Sequence, residues 1–464
     1  MRPRIQLLSA ELIERILGEA FQLLRDPGVR VAAAAVELLR AAGVEVRDGV
    51  ARFPEALVRQ CVASVPREFF LYNRQGEKAV QYGGDEVHFD PGSCCVQVLD
   101  RDTLEARPSE TRDLVQLVQV TEMLPQFAAQ STAVVCEDAP GDIGDLYRLW
   151  VVLRHSDKPV VTGSFSAEGL PGMIELLAAD RGGREELRRQ PRAIFDVCPS
   201  PPLNWSEFGS RNLLDLAHAG VPAEIVAMPL AGGTAPVTLA GSVTQHAAEE
   251  LAGITLHQLA GPGAPVVWGG APAIFDMRSG GAPMGAIETA MLNMACAEVG
   301  KSLGLPTHGY LVATDSKLVD AQAGAESARS AMLGALTGIN MISGAGMLGS
   351  LDCHSAEKLV IDAESIASAI RLVRGVDAGG ETLATDMFAE VGLSGEFLKL
   401  KETRALFRKE QHIPSAVIDR SGRGSEVATD SFARARVRVD ELVNAYQAPA
   451  LPAEVMREFE SVVE

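Results

Sequence analysis

The segment Ala223-Glu224-Ile225-Val226-Ala227-Met228, followed by Pro229-Leu230-Ala231-Gly232-Gly233, carries the pattern that decides the fold. A largely apolar run ends in a proline and glycines, and a helical stretch of small residues follows at 243–260. Apolar runs of this length are typical of parallel strands that are buried on both faces. Their alternation with long helical stretches predicts βαβ units.

The same pattern recurs along most of the chain and predicts eight parallel strands in all. The other seven candidates are Glu86–Asp90, Phe127–Val135, Pro159–Ser164, Ala193–Cys198, Val266–Trp268, Thr307–Val312 and Ile339–Ser343. Helices are predicted near residues 109–123, 142–155, 169–180, 206–219, 243–260, 283–303, 319–337 and 355–373. Eight alternating units predict an α/β fold of the (β/α)8 TIM-barrel type.

The segments on either side of this array are predicted to be helical. Residues 1–75 are expected to form an N-terminal helical cap, in which Ser9 is the N-cap of the first helix and Pro54 opens the third. Residues 76–380 are the predicted barrel. The more polar residues 381–464 are predicted to form a helical C-terminal extension packed on the barrel.

The composition excludes several classes of partner and location. Lys and Arg number 42 against 61 Asp and Glu, so the net charge is −19 and nucleic acid is not an expected partner. No apolar run reaches the roughly 18 residues of a membrane span, and we expect no signal peptide. The seven cysteines lack CxxC spacing, which is typical of reduced thiols and predicts a cytoplasmic protein. We predict no metal site, although Cys94 and Cys95 with a distant histidine remain an alternative.

Candidate catalytic residues follow from the rule that such barrels place their chemistry at the carboxyl ends of the strands. His308, Asp315 and Glu137 occupy such positions. His308 is alternatively a buried core histidine, and Asp315 is alternatively the cap of the helix beginning near Leu318. Lys317 is a candidate Schiff-base lysine, with an exposed lysine as the simpler interpretation. The motifs GxSxG, GxxxxGK[ST] and HExxH are absent.

The same strand ends carry two further groups of candidate residues. A substrate-binding group combines aromatic side chains, in a chain with only 5% aromatics, with one carboxylate: Phe165, Trp268, Phe275, Tyr310 and Asp276. Aromatic rings and carboxylates are the groups that hold an organic cation. A group of small residues leaves room for a large flat cofactor to approach: Gly92, Ser93, Gly232, Gly233, Gly269, Gly270, Gly344 and Gly346.

Several of these stretches resemble the trimethylamine methyltransferase family. The most specific is the segment from Pro229 to Gly241, and the others are Thr314-Asp315-Ser316-Lys317, Asp320-Ala321-Gln322-Ala323-Gly324 and Gly344-Ala345-Gly346-Met347-Leu348. The likeness covers roughly residues 5–420. It implies a (β/α)8 barrel that transfers a methyl group from an amine to the cobalt of a separate corrinoid protein. It also implies that the barrel opening receives the corrinoid, and that the protein is a homo-oligomer.

The expected substrate is a quaternary amine of the betaine type. The trimethylamine-specific members of the family carry pyrrolysine, whereas every residue of this chain is one of the standard twenty. The aromatic residues would hold the cation, and Glu137, Asp276 or Asp315 would add negative charge. Co(I) of the partner would be the nucleophile, so positioning and desolvation are what the protein supplies. Two alternatives remain open: a Schiff-base lyase or aldolase using Lys317, and an amine-binding barrel without catalytic activity.

Overall fold

A computed structural model describes residues 2–140, 143–166, 168–378, 382–422, 429–451 and 453–463. Two parallel sheets form its centre. The five-stranded sheet has the order Val266–Trp268, Ala223–Ile225, Ala193–Val197, Val160–Gly163 and Gln130–Ser131. The three-stranded sheet has the order His308–Tyr310, Met341–Ala345 and His88–Pro91.

The two sheets touch each other along both edges. On one side Trp268 forms a parallel bridge with Thr307. On the other side the backbone N–H of Ala128 donates to the carbonyl of Phe89 at 3.0 Å. All of these pairings are parallel, so the carboxyl ends of the eight strands lie at one end of the molecule, which we call the carboxyl end.

The eight predicted strands are all present, with ends that differ by a few residues, but one is much shorter than expected. Of the predicted strand Phe127–Val135, only Gln130–Ser131 pairs with the sheet. The residues that follow pair instead with the loop after the first strand: Cys95 donates to Ala133, and Val135 donates to Cys95. The strand therefore ends at Ser131, because the backbone groups of the residues that follow bond to the loop at Cys95 and not to the sheet.

Helices follow the strands and cover the sheets: Thr111–Met123, Gly144–His155, Gly169–Arg181, Arg184–Arg189, Glu207–Ala219, Leu239–Ala260, Ile287–Ser302, Ala321–Thr337 and Ala356–Val373. Residue 142, the first of one predicted helix, lies outside the described residues. Asp320, and not Asp315, caps the helix Ala321–Thr337, because its side chain accepts from the N–H of Ala323 at 3.0 Å. The alternative role of Asp315 as a helix cap is therefore wrong.

The N-terminal region buries the longest of these helices. Ala10–Arg25 and Glu55–Ser64 pack on Leu239–Ala260, whose residues 242–258 are all buried. The first of them starts as predicted, since the Ser9 side chain accepts from the N–H of Leu12. The sequence of Leu239–Ala260 has no polar face that could be exposed to water, so this helix must be covered by other parts of the chain.

The prediction that residues 1–75 are purely helical is wrong. Besides the helix Ala33–Ala41, this region contains the strands Val29–Val31, Glu45–Arg47, Val50–Arg52 and Phe69–Tyr72. The first three join Asn204–Trp205 in a small sheet, while Phe69–Tyr72 forms a hairpin with Lys78–Tyr82. Strands of three residues are too short to show an alternating pattern, so the sequence gives no signal for them.

The hairpin Phe69–Tyr82 covers the amino ends of the central strands. Four side chains of the hairpin are buried in one apolar cluster: Phe69, Leu71, Val80 and Tyr82. The central strands contribute Val161, Ile194, Val267 and Met341 to this cluster, and Ala129, which precedes the strand Gln130–Ser131, completes it. The rings of Phe69 and Tyr82 stack at 4.8 Å. The space between the sheets is therefore closed at the amino end.

The remaining strands are short and lie outside the central sheets: Gln97–Leu99, Ala106–Pro108, Leu230–Ala231, Ala273–Ile274, Met347–Leu348 and Cys353–His354. Within the described residues, no helix combines the length and the apolar character that a membrane crossing requires.

The C-terminal region is helical, as predicted. Its helices are Thr385–Val391, Lys401–Glu410, Ser431–Ala445 and Ala453–Val463, with single 3-10 turns at Gly392–Ser394 and Phe397–Lys399. Ser431–Ala445 packs on Ala356–Val373, and Ala453–Val463 packs on Gly169–Arg181. The predicted boundary at residues 380 and 381 lies outside the described residues.

One buried ion cluster fastens the hairpin to the helix Gly169–Arg181. The carboxylate of Asp180 accepts from both Arg74 and Arg192, and the side chains of Asp180 and Arg192 are fully buried. Removing one member of such a cluster leaves an uncompensated charge in the interior.

We predict that Asp180→Asn lowers the free energy of unfolding by about 3–5 kcal/mol, because two guanidinium groups lose their shared counter-charge. The matched control is Glu175→Gln on the same helix, which breaks the exposed pair with Arg184. That change should cost less than about 1 kcal/mol. Urea denaturation measures both, and equal shifts in the two variants would contradict the prediction.

Candidate active site

Three carboxylic acids lie on central strands and face the space between the two sheets. Asp90 lies on His88–Pro91, Asp196 on Ala193–Val197, and Glu224 on Ala223–Ile225. Asp196 and Glu224 are paired directly across neighbouring strands. Asp90 and Glu224 are buried, while Asp196 is half-buried. Buried carboxyl groups are costly, and their convergence marks this space as the candidate site.

Hydrogen bonds and one close contact link two of these acids through a histidine. Tyr82 Oη donates to Glu224 Oε2 at 3.1 Å, and Glu224 Oε1 lies 3.1 Å from His308 Nδ1. His308 Nε2 lies 3.0 Å from Ser343 Oγ, which donates to Asp90 Oδ1 at 2.6 Å. We call Tyr82, Asp90, Asp196, Glu224, His308 and Ser343 the carboxyl network.

Burial sets the protonation of this network. It raises the pKa of Glu224 and of Asp90 well above the usual range, and neighbouring carboxyls raise both further. Burial also lowers the pKa of His308 to about 3. These pKa shifts agree with the observed contacts. A protonated Glu224 can donate to Nδ1 of a neutral His308, whose Nε2–H then donates to Ser343. Burial raises the pKa of Asp196 only to about 7, so this acid ionises first near neutral pH.

Tyr310 lies against the network on the side of the carboxyl end. Its ring meets that of His308 edge-on at 5.6 Å, and its hydroxyl accepts from the N–H of Ser93 at 3.3 Å. Burial, with added effects from Asp196, Cys94 and Asp90, raises the pKa of Tyr310 well above its usual value. The structure thus brings together three of the predicted site residues, His308, Tyr310 and Ser93.

Arg148 occupies the carboxyl end a short distance further out. Its side chain is fully buried, and Nη1 donates to the carbonyl of Thr132 at 3.0 Å. The guanidinium carbon lies 4.4 Å above the ring of Phe165, which is 52% exposed. One face of this predicted cage residue is therefore covered by a cation of the protein itself.

The other predicted substrate-binding residues lie away from the network. The indole of Trp268 points toward the helix Ile287–Ser302, where its N–H donates to the carbonyl of Cys296 at 2.9 Å. Phe275 packs beside Gly233 in a loop at the carboxyl end. Asp276 pairs with Arg278 at 3.0 Å, and that contact lowers its pKa.

The predicted catalytic residues other than His308 also lie elsewhere. Glu137 is exposed. Asp315 accepts from the N–H of Gly285 at 3.1 Å and from Ser350 Oγ at 2.7 Å, so it joins two loops. Lys317 is exposed, in contrast to a desolvated Schiff-base lysine.

The glycines predicted to bind the cofactor divide into two sets. At five positions a Cβ would overlap another part of the protein, so these glycines allow segments to approach closely: Gly92 at Met347, Gly269 at Ile225, Gly270 at His246, Gly344 at Leu311 and Gly346 at His354. Gly232 and Gly233 instead lie in a turn at the surface of the carboxyl end, and Gly233 is exposed.

Four residues of this region, Asp90, Asp196, Glu224 and Arg148, were not among those predicted from the sequence. Two of the acids do have a sequence signal, because Asp196 and Glu224 each interrupt an apolar run, as in Phe195-Asp196-Val197. An acid in such a run predicts a buried carboxyl with a special role. Among the described residues, no group of three or more metal-binding side chains is assembled, and all seven cysteines are free thiols.

Comparison with known proteins gives matches over the whole chain. A family model described as trimethylamine methyltransferase matches residues 1–464. The trimethylamine methyltransferase MttB1 of Methanosarcina mazei is 31% identical, across 99% of this chain and 95% of that protein. A trimethylamine methyltransferase of Desulfitobacterium hafniense is 29% identical, across 98% and 93%. The glycine betaine methyltransferase of Desulfitobacterium hafniense is 28% identical, across 98% and 95%.

A solved structure supports the fold. The monomethylamine methyltransferase of Methanosarcina barkeri aligns with a TM-score of 0.57 at 11% identity, covering 96% of this chain and 90% of that one. The resemblance drawn from the sequence motifs is confirmed by the family match along the full length. The chain belongs to the trimethylamine methyltransferase family.

Proposed function

We propose that this protein transfers a methyl group from a betaine-like quaternary amine to the Co(I) of a separate corrinoid protein. The observation that carries the proposal is the carboxyl network in the interior, with Tyr310 beside it on the side of the carboxyl end. Carboxylates and an aromatic ring in a space shielded from water favour a permanent organic cation.

We also infer that the eight central strands close into a (β/α)8 barrel, with residues 1–75 as a cap and 381–464 as an extension. The contacts between the two sheets at Trp268–Thr307 and at Ala128–Phe89 support closure. The fold shared with the monomethylamine methyltransferase is consistent with it. In such a barrel the carboxyl network lies in the interior and opens toward the carboxyl end.

Leaving-group chemistry decides the class of amine, since the relatives named for trimethylamine and for glycine betaine are about equally similar to this chain. When Co(I) attacks a methyl group of a quaternary ammonium, the C–N bond breaks and its electron pair stays on nitrogen. The product that leaves is a neutral tertiary amine. A protonated tertiary amine can instead lose its proton to the carboxylates, and it then has only an amide anion as leaving group.

The residues near the network have distinct roles in this proposal. Asp196, the acid that ionises most readily, supplies the negative charge for the ammonium. Tyr310 offers its aromatic surface beside it. Glu224 and His308 stay neutral and hold the geometry through their mutual contact. Together they bind the cation and exclude water, which suits a reaction whose nucleophile comes from the partner.

The corrinoid protein, as methyl acceptor, is proposed to dock on the loops at the carboxyl end. These loops follow the strands Ala223–Ile225 and Val266–Trp268 and are joined by the small sheet of Leu230–Ala231 with Ala273–Ile274. Val237 is 71% exposed and Met277 is 76% exposed there, next to the turn at Gly232 and Gly233. Exposed apolar side chains beside a glycine turn are typical of a surface that binds a protein partner.

The alternatives receive less support. The exposed position of Lys317 does not suit Schiff-base chemistry, which needs a desolvated amine. A barrel that binds amines without catalysis is separated from the proposal by the assay below. A homo-oligomer and a cytoplasmic location complete the proposal, the latter because all seven thiols are free.

We predict that the purified protein demethylates glycine betaine or another quaternary amine in an assay with a Co(I) corrinoid protein, and that trimethylamine is not turned over. Methylcobalamin formation, followed by its absorbance, measures the reaction. Efficient turnover of trimethylamine would contradict the leaving-group argument. Binding of quaternary amines without any methyl transfer would favour the non-catalytic alternative.

The affinity for a quaternary ammonium should rise with pH. The cation favours the ionised form of Asp196, so binding strengthens as pH rises toward its pKa of about 7 and levels off above that value. The change should approach ten-fold per pH unit for one released proton. Titration calorimetry should show a flat, weak profile for Asp196→Asn.

The matched control for that measurement is Glu224→Gln. Its amide can replace the protonated carboxyl toward His308 and Tyr82, so the pH profile should resemble that of the unchanged protein. A pH profile that persists in Asp196→Asn would rule out Asp196 as the group that titrates.

Docking is tested by Gly233→Leu. A Cβ at this exposed position meets Phe275 only at 3.4 Å, so the fold should tolerate the change. We expect the KM for the corrinoid protein to rise at least about ten-fold, which corresponds to about 1.4 kcal/mol, while amine binding stays unchanged. The control is Gly18→Leu on the exposed side of the helix Ala10–Arg25. Equal kinetics for the two variants would place the docking surface elsewhere.

A further inference from the structure

The helix Leu239–Ala260 carries a row of buried polar side chains on the half nearest the carboxyl end. They recur every three or four residues, so they share one side of the helix, and that side faces loops and not water. Each bonds to a backbone group of a loop that follows a central strand, at 2.9–3.2 Å: Ser242 to Pro236, Gln245 to Thr234, His246 to Gly269, Glu249 to Leu203, and Glu250 to Ala227. The row therefore attaches three loops to one helix.

The amide of Gln245 uses both of its N–H groups. Its Nε2 donates to the carbonyl of Thr234 at 3.0 Å and to Glu249 Oε1 at 3.0 Å. Because a backbone carbonyl can only accept, the nitrogen of the amide, and not its oxygen, must face Thr234. The glycine turn that contains Thr234 is therefore tied to the helix by a buried side chain whose orientation is fixed.

Glu249 extends this attachment to a second loop. Its Oε1 also accepts from the N–H of Leu203 at 2.9 Å. The two residues directly after Leu203 form the strand Asn204–Trp205, which pairs with Val29–Val31 of the N-terminal region. These contacts form one continuous set of hydrogen bonds, which we call the loop brace: Leu203, Glu249, Gln245 and Thr234. The loop brace connects the glycine turn to the N-terminal region.

The glycine turn, at residues 230–235, is closed on itself. The N–H groups of Gly233 and Ala235 both donate to the carbonyl of Leu230, at 2.8 and 3.0 Å. A turn with such internal bonds keeps its shape, so its orientation depends on what attaches it to the rest of the protein. The small sheet with Ala273–Ile274 supplies one attachment, and the loop brace supplies another.

We propose that Gln245 and Glu249 are positioning residues for the acceptor protein: through the loop brace they hold the glycine turn in the orientation in which the corrinoid protein docks. This rests on the proposed function, which places the docking surface at this turn. Both side chains are buried and bond to backbone groups, so they act through the turn. Their loss should therefore weaken the binding of the corrinoid protein and leave the binding of the amine unchanged.

Gln258 provides a matched control on the same helix. It is also buried, its Nε2 donates to the carbonyl of Ala264 at 2.8 Å, and its Oε1 accepts from the N–H of Gly263 at 2.9 Å. The loop that it holds precedes the strand Val266–Trp268 and so lies at the amino end, away from the proposed docking surface. Gln245 and Gln258 therefore make similar contacts at opposite ends of the molecule.

The first test replaces each of these glutamines by methionine, which is of similar length and has no N–H donor. Titration calorimetry measures the binding of the corrinoid protein to the full chain. We expect Gln245→Met to raise its Kd about three- to ten-fold, as the loss of one hydrogen bond predicts, and Gln258→Met to leave it unchanged. The affinity for glycine betaine should stay the same in both. Equal Kd values for the two variants, or an equal loss of amine affinity in Gln245→Met, overturn the inference.

The second test separates the loop brace from a general effect on folding. Glu249→Gln keeps an oxygen that accepts from Leu203 and Gln245, so it should bind the corrinoid protein as the unchanged chain does. Glu249→Met lacks that oxygen and should weaken binding as Gln245→Met does. Equal weakening in Glu249→Gln and Glu249→Met would contradict the inference. If Gln245→Met does not fold, Gln245→Asn takes its place, because its amide is one methylene too short to reach Thr234.

Kinetics separate this inference from the proposed function. Gln245→Met should raise the KM for the corrinoid protein and leave kcat at saturating corrinoid protein unchanged. Methyl transfer with an unchanged KM in this variant would overturn the role of the loop brace and leave the methyltransferase proposal intact. Absence of transfer from every quaternary amine would overturn the proposed function, while the calorimetric comparison of Gln245→Met with Gln258→Met would still decide the role of Gln245.

Discussion

The burial of Glu224 is the constraint on which the rest of the centre depends. A carboxyl group with no exposure needs partners for its oxygens: Tyr82 donates to one oxygen of Glu224, and His308 Nδ1 lies 3.1 Å from the other, both from outside its own sheet. His308 is held in turn by Ser343, and Ser343 by Asp90. The hairpin and the two sheets must therefore all be in place before the acid is satisfied, so one polar contact set couples three parts of the fold.

The carboxyl network places acidic groups on one side of the site only. One side holds carboxyl groups whose ionisation is suppressed by burial, and the other holds the buried guanidinium of Arg148. Selectivity in such a space follows from leaving polar groups without partners when the wrong ligand binds.

The alternation of strands and helices was predictable because it repeats over long stretches. His308 was predicted at the carboxyl end of its strand, whereas it is the first residue of His308–Tyr310 and lies buried in the interior. Which face a strand residue occupies was not predictable: in Val266-Val267-Trp268 every side chain is apolar, yet Val267 faces the interior cluster and Trp268 faces a helix. The role of Glu224 depends on Tyr82, 142 residues away in the chain. Such a contact has no local signature, and neither do the three-residue strands of the N-terminal region.

The hairpin Phe69–Tyr82 bears on the order in which the amine and the acceptor protein bind in the proposed reaction. Because its apolar side chains seal the amino end, the proposed interior has a single opening, and the docked corrinoid protein would cover it. The amine must then enter before the acceptor protein arrives, and the demethylated product can leave only after that protein departs. On the proposed docking, binding and release would therefore follow a fixed order, and a large excess of the acceptor protein would slow turnover by blocking the entrance.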